Sequence, residues 1–203
     1  MVSEHFNILF RAAIVENLVL VFLLGMCTYV AVSKNVKTAF GLGLTVIVVE
    51  TITVPINYII FEYVLSHGAL AWAGYPQLDL THLKIVTFIG VIAAVVQILE
   101  MVLERFYPTL FKALGIYLPL LTVNCAVLGA SLFMVQRNYQ FTESLVYGFG
   151  VGLGWAIAIV VFAAIRERLD ESRVPQGLRG LGLAFIVTGL LSLSFNGLAG
   201  LEF

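Results

Sequence analysis

The chain has 203 residues, 61% of them hydrophobic and 11% charged, with a mean hydropathy of +1.02. Soluble domains carry about 25% charged residues, so this sequence cannot cover a water-facing surface, and it is far too apolar for intrinsic disorder. Eleven Lys and Arg against twelve Asp and Glu leave a net charge of −1, which excludes a nucleic-acid-binding balance, and two cysteines build no disulfide scaffold. The composition is that of an integral membrane protein.

Charged residues punctuate the chain into hydrophobic runs long enough to cross a hydrocarbon core of about 30 Å. The first, 8–32, is the least regular, because Arg11, Glu16 and Asn17 sit in its leading part. The second, 38–64, is interrupted by Glu50, and the third, 85–104, passes Glu100 near its end. The remaining spans are 114–136, 144–165 and 180–201. The runs are continuous rather than alternating, which favours helices over a barrel. The expected fold is all-α: a single polytopic membrane domain over 1–203 with six transmembrane helices. No cleavable signal is expected, since Arg11 lies inside the first apolar segment and no small-residue cleavage site follows it.

Orientation follows from the cations. Lys34, Lys37, Arg105, Lys112, Arg166, Arg168, Arg173 and Arg179 fall on one side, against Arg11, Lys84 and Arg137 on the other. Cytoplasmic loops carry the excess, so both termini are expected to face outward. A weak internal repeat relates Gly25-Met-Cys27, Lys34-Asn35 and Gly41-Leu-Gly43 to Asn124-Cys125, Arg137-Asn138 and Gly148-Phe-Gly150. Three spans per half is an odd number, so the halves, 8–104 and 114–201, are expected to be inverted about an axis in the membrane plane.

Cys27 and Cys125 then occupy matching places, each inside the first segment of its half. A buried cysteine is ordinarily just a small hydrophobe, but the neighbours of these two differ. Gly25 precedes Cys27, while Pro119 and Asn124 precede Cys125 and Gly129 follows it. Such residues unwind a membrane helix, and unwound backbone at depth is tolerated only in protein or against a cavity. The first and fourth helices are therefore expected to break at the cysteines. Two thiolates converging from half-helices suit a soft metal, iron–sulfur or zinc. A two-iron cluster takes four cysteines, so either a second chain supplies the other pair or the metal reading fails.

Intramembrane carboxylates are the other candidates. For Glu100, beside Gln97, the alternative is snorkelling with Glu104 or a surface ion pair with Arg105. For Glu50 it is a hydrogen bond to a threonine such as Thr53, and for Glu16 simple solvation near the outer surface. The alternating Gly148, Gly150, Gly152 and Gly154, echoed by Gly41 and Gly43, read as close helix packing, and these faces also suit a partner. The loop from Arg166 to Arg179 reads as an orientation signal and a docking surface for an anionic partner or lipid. No dinucleotide or phosphate loop, metalloprotease motif or nucleophile–base pair is present, and His5, His67 and His82 offer no haem pair. No catalytic residue is assigned. From composition and pattern alone, a non-redox secondary transporter half or a purely structural anchor competes with the redox reading, because broken helices in inverted repeats are also the transporter plan.

Several segments together resemble the NqrE membrane subunits of the sodium-translocating NADH:quinone oxidoreductases. They are Val15-Glu-Asn17, Leu24-Gly-Met-Cys27-Thr, Val32-Ser-Lys, Thr38-Ala-Phe-Gly-Leu-Gly43, Val54-Pro-Ile-Asn57, Phe88-Ile-Gly-Val-Ile92 and Val96-Gln-Ile-Leu-Glu-Met101. Leu114-Gly-Ile-Tyr-Leu-Pro-Leu120, Thr122-Val-Asn-Cys125-Ala, Phe133-Met-Val-Gln-Arg137 and Val174-Pro-Gln-Gly-Leu-Arg-Gly-Leu-Gly182 complete the set. The similarity covers nearly the whole chain and is weakest over 67–81. The paralogous A-type membrane component of the Rnf ferredoxin:NAD oxidoreductases shares the cysteine motifs and the Gly-Ile-x-Leu-Pro-Leu segment. It lacks the Val-Glu-Asn opening and the Phe-Met-Val-Gln-Arg segment.

The resemblance implies a six-helix component of the bacterial inner membrane, with periplasmic termini, paired with a homologous D-type component of opposite orientation. It implies a 2Fe–2S cluster between them, held on this side by Cys27 and Cys125, that relays electrons toward ubiquinone during Na⁺ export. It also implies that NADH, flavins and quinone are bound by other subunits, that Glu100 handles sodium, and that the chain alone has no turnover.

Overall fold

The computed structural model describes residues 2–66, 80–108, 111–112, 117–170 and 180–199. Every regular element among these residues is helical: α1 Val2–Phe10, α2 Met26–Val32, α3 Val36–Ile60, α4 Lys84–Phe106, α5 Leu118–Thr122, α6 Cys125–Gln136, α7 Phe141–Asp170 and α8 Leu181–Ala199. Single π-helical stretches, Arg11–Val15 and Phe61–Leu65, continue α1 and α3. Four stretches among the described residues are long and apolar enough to cross a bilayer: Val36–Leu65, Thr81–Phe106, Pro119–Gln136 and Phe141–Leu169. Leu181–Gly197 is a shorter apolar helix.

The expected spans 38–64, 85–104 and 144–165 fall inside continuous helices. The fifth overruns its apolar limit by five residues to Asp170, because Arg, Glu and Leu propagate a helix as well as apolar residues do. Span one is not one helix: residues 16–25 lie outside any helix between Val15 and Met26. Span four breaks at Val123 and Asn124, between α5 and α6. The start of span four at 114–116, the end of span six at 200–201, His67, Arg173 and Arg179 lie outside the described residues.

The centre of the molecule is the crossing of α3 and α7. A Cβ placed on Gly43 would lie 3.0 Å from Ala156 Cβ, one on Gly152 2.7 Å from Ile47 Cα, and one on Gly148 2.7 Å from the Glu50 carbonyl. The pairs run in opposite chain order, so the helices are antiparallel. On its other face α7 meets α1 and the turn after it: a Cβ on Gly150 would come within 3.1 Å of the Leu9 carbonyl, and one on Gly154 within 2.5 Å of the Ala13 carbonyl. The four alternating glycines are thus two interleaved i, i+4 pairs serving two neighbours. The faces that also suited a partner in the sequence are consumed inside the chain.

Trp155, Phe162, Tyr29, Leu42 and Val46 fill the space around this crossing, with Tyr29 and Phe162 stacked at 4.4 Å. By contrast, Val86, Ile98, Met101 and Val102 on α4 and Phe185, Leu190 and Leu193 on α8 stand exposed. Apolar area of that extent is a liability in water. Against lipid tails or another membrane protein it is the ordinary surface.

Candidate metal centre at two helix breaks

The first break begins at Asn17, which is completely buried. Its Oδ1 accepts from the amides of Val19 (3.0 Å) and Leu20 (3.3 Å), and its Nδ2 donates to the carbonyls of Gly154 (2.8 Å) and Ala13 (3.2 Å). Ser192 of α8 donates to the Leu20 carbonyl at 2.5 Å. These bonds supply partners to backbone groups that a continuous helix would have paired, which is the condition for irregular backbone at membrane depth. Leu23 and Gly25 then turn through positive φ, 56° and 83°, and the helix restarts with Gly25 as the cap of α2. Gly25 cannot be replaced without strain: its φ is left-handed, and a Cβ would sit 2.8 Å from Trp155 Nε1 and 3.0 Å from Ala126 Cβ and Asn124 Oδ1.

The second break is tighter. Asn124 is the N-cap of α6, its Oδ1 accepting from the Ala126 amide at 2.9 Å. Cys125 is the first residue of α6 and Cys27 the second of α2, so each thiol sits in the first turn of a half-helix, where the backbone dipole favours negative charge. The fold brings the two together across the length of a whole half. The Gly25 amide donates to Cys125 Sγ at 3.3 Å, which sets that thiol against the backbone two residues before Cys27. Neither is in a disulfide, and both are exposed at the surface of the chain. An apolar depression of about 350 Å³ beside Cys27 is lined by Met26, Val30, Ala31, Leu181 and Phe185.

No group of three or more His, Cys, Asp or Glu comes together among the described residues. The donor set is two soft thiols presented outward from helix N-termini. That suits one half of a four-thiolate group and does not by itself enclose an ion.

The other candidates lie elsewhere. Glu100 sits partly exposed on α4, and among the described residues it forms no ion pair with Arg105. Glu50 is fully buried, and neither carboxylate oxygen has a hydrogen-bond partner among the described residues. Thr53 is not its partner, because that hydroxyl donates to the Val49 carbonyl at 2.7 Å. Glu16 is not simply solvated: it pairs with Arg11 at 2.9 Å and with Arg137, joining the two halves at one end of the bundle. Partial burial opposes the charge of Arg137, but hydrogen bonds to the Tyr139 hydroxyl and Glu16 outweigh it and raise the guanidinium above its ordinary value. Arg166 is turned inward, donating to the Val30 carbonyl (2.9 Å) and Ser33 Oγ (2.7 Å) at the end of α2. It is therefore a tie to the far end of α2 rather than a free docking cation. His5 and His82 lie far apart in the chain, the first on α1 with a buried Nδ1 that has no hydrogen-bond partner among the described residues, the second exposed.

Thr28 and Trp155 escaped the sequence reading. Thr28 carries no periodic signal of its own, and only its bond to Asn124, 96 positions away, makes it part of the site. Trp155 is likewise unmarked in the sequence, and its indole lies against Gly25, between the two breaks.

A chain whose regular elements are all helical among the described residues, with apolar spans, two broken helices and a pair of exposed thiols, is a polytopic membrane subunit. It belongs to the family of Rnf-Nqr subunits, membrane proteins, whose model matches residues 5–202. It is 57% identical over 202 residues, covering both chains completely, to a protein of Hahella chejuensis named as the NqrE subunit of the Na(+)-translocating NADH-quinone reductase. A protein of the same name from Nitrosomonas europaea is 60% identical over 191 residues, 94% of this chain and 95% of its own length. One from Maridesulfovibrio salexigens is 58% identical over 200 residues, 98% of this chain and 99% of its own length.

Proposed function

We propose that this chain is a component of a Na⁺-translocating NADH–quinone reductase of the bacterial inner membrane, inactive alone. It crosses the membrane six times in two inverted halves, 8–104 and 114–201, with periplasmic termini. With a homologous six-helix partner, the D-type component of the complex, it holds a 2Fe–2S cluster through Cys27 and Cys125. The cluster, when bound, supplies one-electron carriage toward ubiquinone. NADH, flavins and quinone are bound by other subunits. Glu100 lies toward the cytoplasmic end of its span in this orientation and serves sodium entry.

The observation that carries this reading is the convergence of two thiols at the first turns of two half-helices, both facing out of the chain. The full-length similarity to proteins named as NqrE supports the complex, and the two-cysteine count supports a shared cluster. Cys27 and Cys125 offer thiolates, the half-helix N-termini favour their charge, and Asn17, Asn124 and Ser192 keep the broken backbone paired so that the site stays rigid.

The test is to purify the whole complex carrying Cys27→Ala or Cys125→Ala and measure iron, visible absorption and electron paramagnetic resonance. Each variant is expected to assemble, lose one cluster's iron and its signal, and stop quinone reduction, while NADH oxidation by artificial acceptors persists. Full iron and quinone reduction in both variants would overturn the assignment. Absence of iron–sulfur absorption from the parent complex would favour a non-redox transporter half.

A further inference from the structure

Around Cys125 the hydrogen bonds close into a ring that spans both breaks. The Gly25 amide donates to Cys125 Sγ at 3.3 Å. The Gly25 carbonyl accepts from Thr28 Oγ1 at 3.1 Å, and Thr28 Oγ1 in turn accepts from Asn124 Nδ2 at 3.2 Å. Asn124 adjoins Cys125 in the chain and caps the helix that Cys125 opens. Thr28 is fully buried and Asn124 1% exposed, so water does not compete for these bonds. The Asn124 side chain uses its oxygen for the cap and its nitrogen for the bridge, and Gly25 is boxed in by Trp155, Ala126 and Asn124.

We propose that Asn124 and Thr28 are positioning residues of the thiolate pair: together they fix the spacing of the two half-helix ends and hold the Gly25 N–H on Cys125 Sγ. This rests on the cluster reading above. An N–H donated to a ligating sulfur stabilises the added electron, so the ring holds the reduction potential of the group on these thiolates higher than two unbraced half-helices would. Removing Thr28 Oγ1 leaves Asn124 Nδ2 buried without its acceptor and takes one of two donors from the Gly25 carbonyl, which keeps the Tyr29 amide at 3.1 Å. The two half-helix ends then lose the side-chain tie that sets Cys125 Sγ against the Gly25 N–H.

Thr28→Val keeps volume and β-branching while deleting the hydroxyl. In the purified complex it is expected to retain full iron, to shift the cluster's potential to more negative values, to alter its paramagnetic g-values, and to slow quinone reduction several-fold. Thr28→Ser restores the parent potential, g-values and rate. Asn124→Ser keeps a competent helix cap but is too short to reach Thr28, so it reproduces the shift, and the double variant adds little to either single change because both cut one ring. A merely structural role would lower yield and leave potential and g-values at the parent values. Labelling the unmodified complex with ¹⁵N-glycine adds a measurement that needs no variant: a glycine-nitrogen coupling is expected in the pulsed spectrum of the reduced cluster. Parent potential and g-values in assembled Thr28→Val and Asn124→Ser, or absence of that coupling, would overturn the brace. The cluster reading survives such a result as long as Cys27→Ala and Cys125→Ala abolish the signal; if they do not, that reading falls first.

Discussion

Two regions of this molecule solve the burial of backbone in opposite ways. At the α3–α7 crossing the helices are continuous, their amides are paired internally, and glycine lets them approach until a single Cβ would collide. At the cysteine breaks the helices stop, and asparagine, threonine and serine side chains take over the bonds that the backbone gave up. The first arrangement gives stiffness through contact and offers no group for chemistry. The second exposes helix N-termini and thiols, and it relies on partners from distant parts of the chain to hold the open stretches in place. The glycine crossing is the frame on which the breaks are mounted: Gly154 packs against Ala13 and also supplies the carbonyl that holds Asn17.

The largest effect should come from breaking the frame. Gly154→Val would place a branched side chain against the Ala13 backbone, where even a Cβ lies 2.5 Å from the carbonyl oxygen. Overpacking costs typically about 1 to 3 kcal/mol and more where backbone must move. The expected outcome is loss of assembled complex in a native gel, with the first break disordered as well. Gly90→Ala on α4, where nothing lies within 4 Å of the added carbon, serves as the neutral control.

The end of the bundle that joins the halves should be next. Arg137→Gln removes the pairing with Glu16 and the stacking over Phe133 and Tyr147 at 5.8 and 5.6 Å. Its groups are neither fully exposed nor fully buried, so a loss of about 1 to 3 kcal/mol is expected, between the ranges of surface and buried pairs. Thermal denaturation of the complex should show a lower midpoint with the cluster signal intact below it. An unchanged midpoint would mean that the crossing alone holds the halves together.

Glu50 sharpens the comparison in the other direction. It is a fully buried carboxyl group without a hydrogen-bond partner among the described residues. Glu50→Leu is expected to stabilise the chain by about 1 kcal/mol or more, since an unmatched buried polar group costs that much. A destabilised variant with altered turnover would give Glu50 a role that packing does not require.

The smallest structural effect belongs to Glu100. Glu100→Gln on the partly exposed face of α4 should leave assembly, iron and melting unchanged. If the residue serves sodium entry, the sodium dependence of quinone reduction moves to higher concentration. A titration curve that overlays the parent retires that role.

Much of this protein was determined by the sequence itself. The apolar runs and their charged boundaries predicted helices at 38–64, 85–104 and 144–165, because in lipid the backbone must be paired within each segment and hydropathy alone reveals where. The glycine and asparagine beside each cysteine marked both breaks, since those residues cap or interrupt helices for local reasons. What the sequence could not determine was which side chains would complete the broken stretches. Asn17 with Gly154, Thr28 with Asn124, and Glu16 with Arg137 are separated by 137, 96 and 121 positions, and no local periodicity connects them. The alternating glycines likewise read as one stripe until the fold divided them between α3 on one side and α1 with the turn after it on the other. Local propensity chooses where a helix starts and stops. Only the packed tertiary structure decides which distant group satisfies what the stop leaves open, because a hydrogen bond at membrane depth is made with whatever the fold brings there and not with water.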